Sequence, residues 1–137
     1  GVPRRFLEQA RALARDLTGE PGLDARLIHA DLHDANVLRG QRAGRPAWLA
    51  IYPKPLAGQW EFAVAPALLN RWPEAVASGN VTWDLRCRMG WLCEAGGLDE
   101  DRAKAWTILR TVSRALEDGG SAGSTTYVAV LKAMQPD

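Results

Sequence analysis

The stretch "LIHADLHDANVL", residues 27–38, decides how the rest of the chain is read. It sets His29, Asp31, His33, Asp34 and Asn36 between an apolar run and a closing Val-Leu. Several chemistries fit those residue types. His29, Asp31 and His33 alternate, so on extended backbone they share one face, and two imidazoles with a carboxylate can form a facial metal site. Such a site normally adds a further ligand, or an open water position with supporting groups, and these are the only histidines in the chain. A plain polar turn is the simplest alternative, since Asp and Asn side chains bond their own backbone and favour turns.

Outward from this stretch the pattern is mixed. Val2, Phe6, Leu7, Ala10, Leu13, Ala14 and Leu17 recur at three- and four-residue spacing, which predicts an amphipathic helix ended near Gly19 and Pro21. "ARLIHA" (25–30) has strand length. "NVLRG" (36–40) and "PAWLAIY" (46–52) flank the turn-rich "QRAG", as in a hairpin. After "PKPLAG" the period becomes helical. "WEFAVAPALLNRW" (60–72) is a helix candidate that starts at Pro66, where a missing N–H is tolerated. "VTWDLRCRMGWLCEA" stops at Gly96-Gly97, "DEDRAKAWTILRTVSRALE" has acids in its first turn and "DGG" at its end, and "STTYVAVLKAM" offers a Ser/Thr N-cap. The expected fold is a mainly helical α+β domain over residues 1–137: a small sheet of two or three strands and about five helices.

Composition excludes several classes. The 137 residues suffice for one domain with a real core. Net charge is +1 with the basic residues scattered, which gives no electrostatic case for nucleic acid. No stretch approaches the roughly 20 apolar residues of a membrane span, and the basic N-terminus has no apolar signal core, so a cytoplasmic protein is expected. Arginine far outnumbers lysine, which reads as the coding bias of a GC-rich genome. Cys87 and Cys93 fall nearly opposite each other on one predicted helix and suit neither a disulfide nor a zinc pair, so both are expected to be buried thiols. Trp48, Trp72, Trp83, Trp91 and Trp106 are expected in the core, with Trp60 the most exposed of the six tryptophans.

The third reading of the loop is phosphoryl transfer. His29-x-Asp31-x-x-x-x-Asn36 has the spacing of the kinase catalytic loop, where the Asp orients the attacking hydroxyl and the Asn side chain holds magnesium. With "WLAIYPKPLAG" and "FAVAPALLNRW" downstream, the chain resembles the aminoglycoside phosphotransferases. Within them it is most similar to the streptomycin 6-phosphotransferase and hydroxyurea phosphotransferase branch, with its H-G-D-L-H-x-x-N-V-L, I-D-P-K-P and D-x-A-P signatures. The likeness runs over roughly residues 1 to 135. It implies the C-terminal lobe of a protein-kinase-like fold, ATP and Mg2+ as cofactors and an aminoglycoside-like alcohol as substrate. It further implies Asp31 as catalytic base, Asn36 as metal ligand, and His29 and His33 as loop-bracing residues. Glu94, Asp99 and Asp84 are the acidic side chains considered for a cationic substrate.

Three departures accompany the likeness. The second metal ligand is Tyr52 here, and a phenol with a pKa near 10 is a poor magnesium ligand. Its ring is expected to project into the volume where metal and phosphates belong. Position 63, where the family has an Asp that holds the loop, is Ala63. No G-x-G-x-x-G occurs, and Lys54, Lys104 and Lys132 are all placed too late to clamp phosphates, so no cofactor-binding residue is assigned and the nucleotide lobe is read as absent. The expectation is a phosphotransferase lobe inactive by itself. The alternative is a non-catalytic pseudokinase-like or engineered fragment serving as an interaction module. An uncovered cleft face predicts a homodimer through the strand region.

Overall fold

The computed structural model describes residues 1–119 and 124–136. The first helix, α1 (Arg4–Thr18), buries Phe6, Ala10 and Leu17 on the predicted face. Four short strands follow: β1 (Arg26–His29), β2 (Val37–Arg39), β3 (Trp48–Ala50) and β4 (Pro55–Gly58). They form two antiparallel pairs, not the single sheet expected. β1 pairs with β4, His29 opposite Pro55, and β2 pairs with β3, Val37 opposite Ala50. The β2–β3 hairpin is thus nested inside the connection from β1 to β4, and it closes where the Gly40 N–H donates to the Ala47 carbonyl at 2.7 Å. A side chain at Gly40 would meet the Pro46 carbonyl at 2.6 Å, so the close approach requires glycine.

The predicted helix over 60–72 is broken into three pieces. Trp60–Ala63 is a 3-10 turn, α2 (Val64–Leu69) starts two residues before Pro66, and α3 (Trp72–Ala77) starts after Arg71, whose φ is +56°. Pro66 sits at the third position of α2, inside the first turn whose N–H groups have no helical partner, so the proline is accommodated without marking the start. With α4 (Val81–Gly96), α5 (Glu100–Glu117) and α6 (Ser124–Ala133) the α-helices among the described residues number six.

Caps set the last boundaries. The Asn80 side chain accepts from the Trp83 N–H and Asp99 from the Arg102 N–H, while Glu100 and Asp101 are the first-turn acids the sequence predicts. Gly97, at φ +62°, ends α4 in the left-handed conformation. The Ser/Thr cap expected for α6 lies outside the described residues.

The core gathers where α4 packs on α6, α1 on α5 and α2 on both long helices. Leu68, Leu85, Met89, Val130 and Leu131 are fully enclosed there. The tryptophan expectation needs correction: Trp48, Trp83 and Trp91 are 65%, 61% and 63% exposed, beyond Trp60 at 51%. Small and aliphatic side chains already fill the space between the long helices, and Trp83 and Trp91 lie on the outer face of α4. Only Trp72 packs against the buried cluster, and Trp106 is half-buried against Phe62. Cys93 is buried, but Cys87 is only partly so. Among the described residues, no helix is long and apolar enough to cross a membrane.

Candidate active site

β1 delivers the loop. His29 ends the strand, and its ring bonds in two directions: Nε2 to the Ile51 carbonyl at 2.9 Å, and Nδ1 to the Asp31 N–H at 3.2 Å. The second bond makes Nδ1 the acceptor, which assigns the tautomer protonated at Nε2. The imidazole therefore ties the start of the loop to the residue before Tyr52. Asn36 lies at the far end, in a 3-10 turn over Asp34–Asn36. Its Nδ2 donates to the Asp31 carbonyl at 2.9 Å and lies 3.1 Å from His33 Nε2, so Asp31, His33 and Asn36 meet in one closed loop. Asp34 leaves the cluster and accepts from the Asn70 side chain.

Asp31 itself is partly exposed, and Lys54 Nζ sits 2.9 Å from its Oδ2. The ammonium hydrogen bond holds the carboxyl below its ordinary range, against a smaller opposing effect of burial. Asp31 is therefore ionised at neutral pH. The antiparallel pairing of β1 and β4 makes this contact, with the Ala30 N–H donating to the Lys54 carbonyl at 3.0 Å. From α5, Arg110 reaches the same corner, donating to the carbonyls of Ala30 at 3.0 Å and Phe62 at 2.8 Å.

Sequence reasoning did not foresee either cation. For Lys54 a signal existed: pairing "ARLIHA" with "PKPLAG" puts residue 54 beside residue 30. For Arg110 none did, because the contact spans eighty positions.

Two of the cavities that touch the loop bear on its chemistry. One, of about 680 Å3, runs from Asp31 and Lys54 past Phe62, Trp106 and Arg110 to Tyr127. The other, of about 640 Å3, is lined by His33, Asp34, Glu74, Asp84 and Trp91. Of the acids considered for a cationic substrate, Asp84 lines this second cavity but is paired with Arg88 at 2.6 Å. Asp99 is used as a helix cap and Glu94 is exposed on α4. Tyr52 stands at φ +50° and is 76% exposed.

The donor set does not fit a magnesium ion held by this chain. Among the described residues no three His, Cys, Asp or Glu side chains converge. His29 is bonded through both ring nitrogens and His33 through Nε2, Oδ2 of Asp31 is taken by Lys54, and position 52 offers a phenol. Asn36, whose NH2 faces inward, has one amide oxygen to give, far short of the octahedral oxygen set magnesium demands.

Comparison with known proteins places the chain among the antibiotic-resistance kinases. The family model for "Aminoglycoside/hydroxyurea antibiotic resistance kinase" matches residues 2–119, and the chain belongs to that family. It is 41% identical over 135 residues to a streptomycin 6-kinase of Streptomyces glaucescens, covering 96% of this chain and 42% of that protein. It is 42% identical over 134 residues to a hydroxyurea phosphotransferase of Kitasatospora aureofaciens, covering 96% and 36%. A streptomycin 6-kinase of Streptomyces griseus is 39% identical over 122 residues, covering 87% and 38%. The chain thus spans about two-fifths of the length of these relatives. No solved structure matches it.

Proposed function

We propose that this chain is the catalytic-loop lobe of an ATP-dependent phosphotransferase that modifies a hydroxyl of a small antibiotic. One observation carries the reading: Asp31 opens onto a cavity of about 680 Å3 while Asn36, five residues on, is folded back against it. Lys54 occupies Oδ2 of Asp31, so Oδ1 is the oxygen that would accept a hydrogen bond from the acceptor hydroxyl. A carboxylate kept ionised is a weak base. Its part is to orient the hydroxyl and take the proton late, as a loose, dissociative phosphoryl transfer permits. His29 and Asn36 hold the loop in shape for that approach. ATP and magnesium are the cofactors of such a reaction. Because the donor set here does not fit the metal, no step is assigned to it, and this lobe is inactive without residues that bind the nucleotide phosphates.

Thermal unfolding with and without magnesium and ATP tests this reading, on the parent and on Tyr52→Asp. A ligand at a hundred times its Kd stabilises by about 2.7 kcal/mol, a shift of several degrees for a domain of this size. A shift confined to Tyr52→Asp is expected. Silence in both would overturn the nucleotide reading.

A second reading is favoured by the strand region, where Leu27, Leu38, Trp48, Leu49 and Leu56 are exposed and Trp60 follows just beyond β4. An apolar surface of this kind marks an interaction site, and its occupant in this reading is a second copy of the chain. The oligomeric state in solution decides it.

A further inference from the structure

We infer that Arg110 is the positioning residue of the Asp31 loop, fixing from α5 the backbone that carries the catalytic carboxylate; this rests on the phosphotransfer reading above. Its guanidinium is divided between two elements. Nη2 holds the carbonyl of Ala30, the residue immediately before Asp31, and Nη1 holds the carbonyl of Phe62 in the 3-10 turn.

Both carbonyls need an outside donor. Ala30 lies one residue past the end of β1: its N–H still bonds across to Lys54, while its carbonyl is met by Arg110. Phe62 stands four residues before Pro66, the position whose N–H would close a helical bond, and proline has none to offer. The turn has no side-chain cap, and the Ala63 side chain has no polar atom with which to make one.

The guanidinium is itself held. It lies 4.4 Å from the Phe62 ring centroid, and that ring meets Trp106 edge-on at 5.3 Å. Trp106 Nε1 in turn donates to Gln59 at 2.7 Å, next to the same turn. Burial pulls the Arg110 pKa down while the nearby Asp31 carboxylate pushes it back up. Lys54 and Arg110 thus divide the work: Lys54 sets the Asp31 side chain, and Arg110 sets the point where its backbone leaves the strand. Only a planar fork reaches both carbonyls at once, so lysine is no equivalent here.

Amide hydrogen exchange tests the inference without requiring turnover. The amides of Asp31 and Asn36, bonded to His29 Nδ1 and the His33 carbonyl, report on the loop, and Val112 in the core serves as reference. In Arg110→Met, exchange at Asp31 and Asn36 is expected to accelerate at least tenfold relative to Val112, the loss of one charge-assisted hydrogen bond. Arg110→Lys, with charge but no fork, is expected to fall between parent and Arg110→Met. Leu109→Ala, which loosens packing on the same helix, is expected to lower Tm while the loop amides keep their ratio to Val112. Parent-like exchange in Arg110→Met would overturn the inference, as would equal loosening in Leu109→Ala. Should Arg110→Met not fold, full parental protection in Arg110→Lys overturns it instead. Failure of the magnesium–ATP shift is a separate result: it removes the reaction and leaves the measured anchoring in place.

Discussion

Lys54 and Asp31 form an ion pair whose two members differ sharply in exposure, and the pH dependence of stability follows from that pair. The folded pKa of Asp31 is depressed, so its contribution is present above the unfolded value and disappears as pH falls through the lowered one. Lys54 is largely exposed, which limits the pair to about 0.2–1 kcal/mol. Lys54→Met is expected to melt slightly below the parent at pH 7, with the gap closing as the pH falls below the usual carboxylate value of about 4. A gap that persists at low pH would show that the loss comes from packing. The cysteines offer a second check. Burial, with Glu100 nearby, pushes the Cys93 thiol up to about 11, and the reactive species is the thiolate. Alkylation of the native protein is therefore expected to label Cys87 and to reach Cys93 only through unfolding, as peptide mass mapping would show. At this scale the sequence was legible where chemistry is local: His29, Asp31 and Asn36 meet as their spacing implied. Lys54 and Arg110 were not, since their contacts depend on strand pairing and helix packing.

Element boundaries were readable where a cap or a breaker fixes them. The first-turn acids mark the start of α5, and Gly97 ends α4, but Pro66 misled because proline is tolerated anywhere in a first turn. Two substitutions separate capping from packing. Asp99→Ala is expected to cost about 1 kcal/mol by freeing the Arg102 N–H, and Leu68→Ala, from an enclosed site, about 2–5 kcal/mol. Denaturant titration of both gives the ratio, and equal losses would show that the Asp99 cap counts for as much as an enclosed core side chain. The arginines tell a similar story. Arg86 donates to the Ala133 and Gln135 carbonyls, Arg88 to that of Asn70 and Arg110 to two more, so each ties one element to the backbone of another. Composition reads that excess as coding bias, and no periodicity shows which side chains cross between elements.

For the molecule as a whole, helical periodicity predicted the helical layer, while the sheet was harder to read. Strands of three and four residues carry little pattern, and nesting one pair inside another splits the expected sheet in two. This same region bears most of the exposed large apolar side chains, Leu27 at 79% the most exposed of them. If two copies meet there, light scattering at high concentration is expected to show a dimer that Leu27→Lys with Trp48→Lys reduces to monomer. A parent that stays monomeric would sink the dimer, and the face would then need another occupant.

The backbone of Tyr52 occupies the left-handed region, where aspartate and asparagine are at home and bulky residues are uncommon. The carboxylate that the resemblance puts at this position would therefore fit the existing turn better than the phenol does. Every tyrosine codon becomes an aspartate codon by a change in its first base. In evolutionary terms, the two residues are one base change apart, and the backbone conformation favours the step toward aspartate.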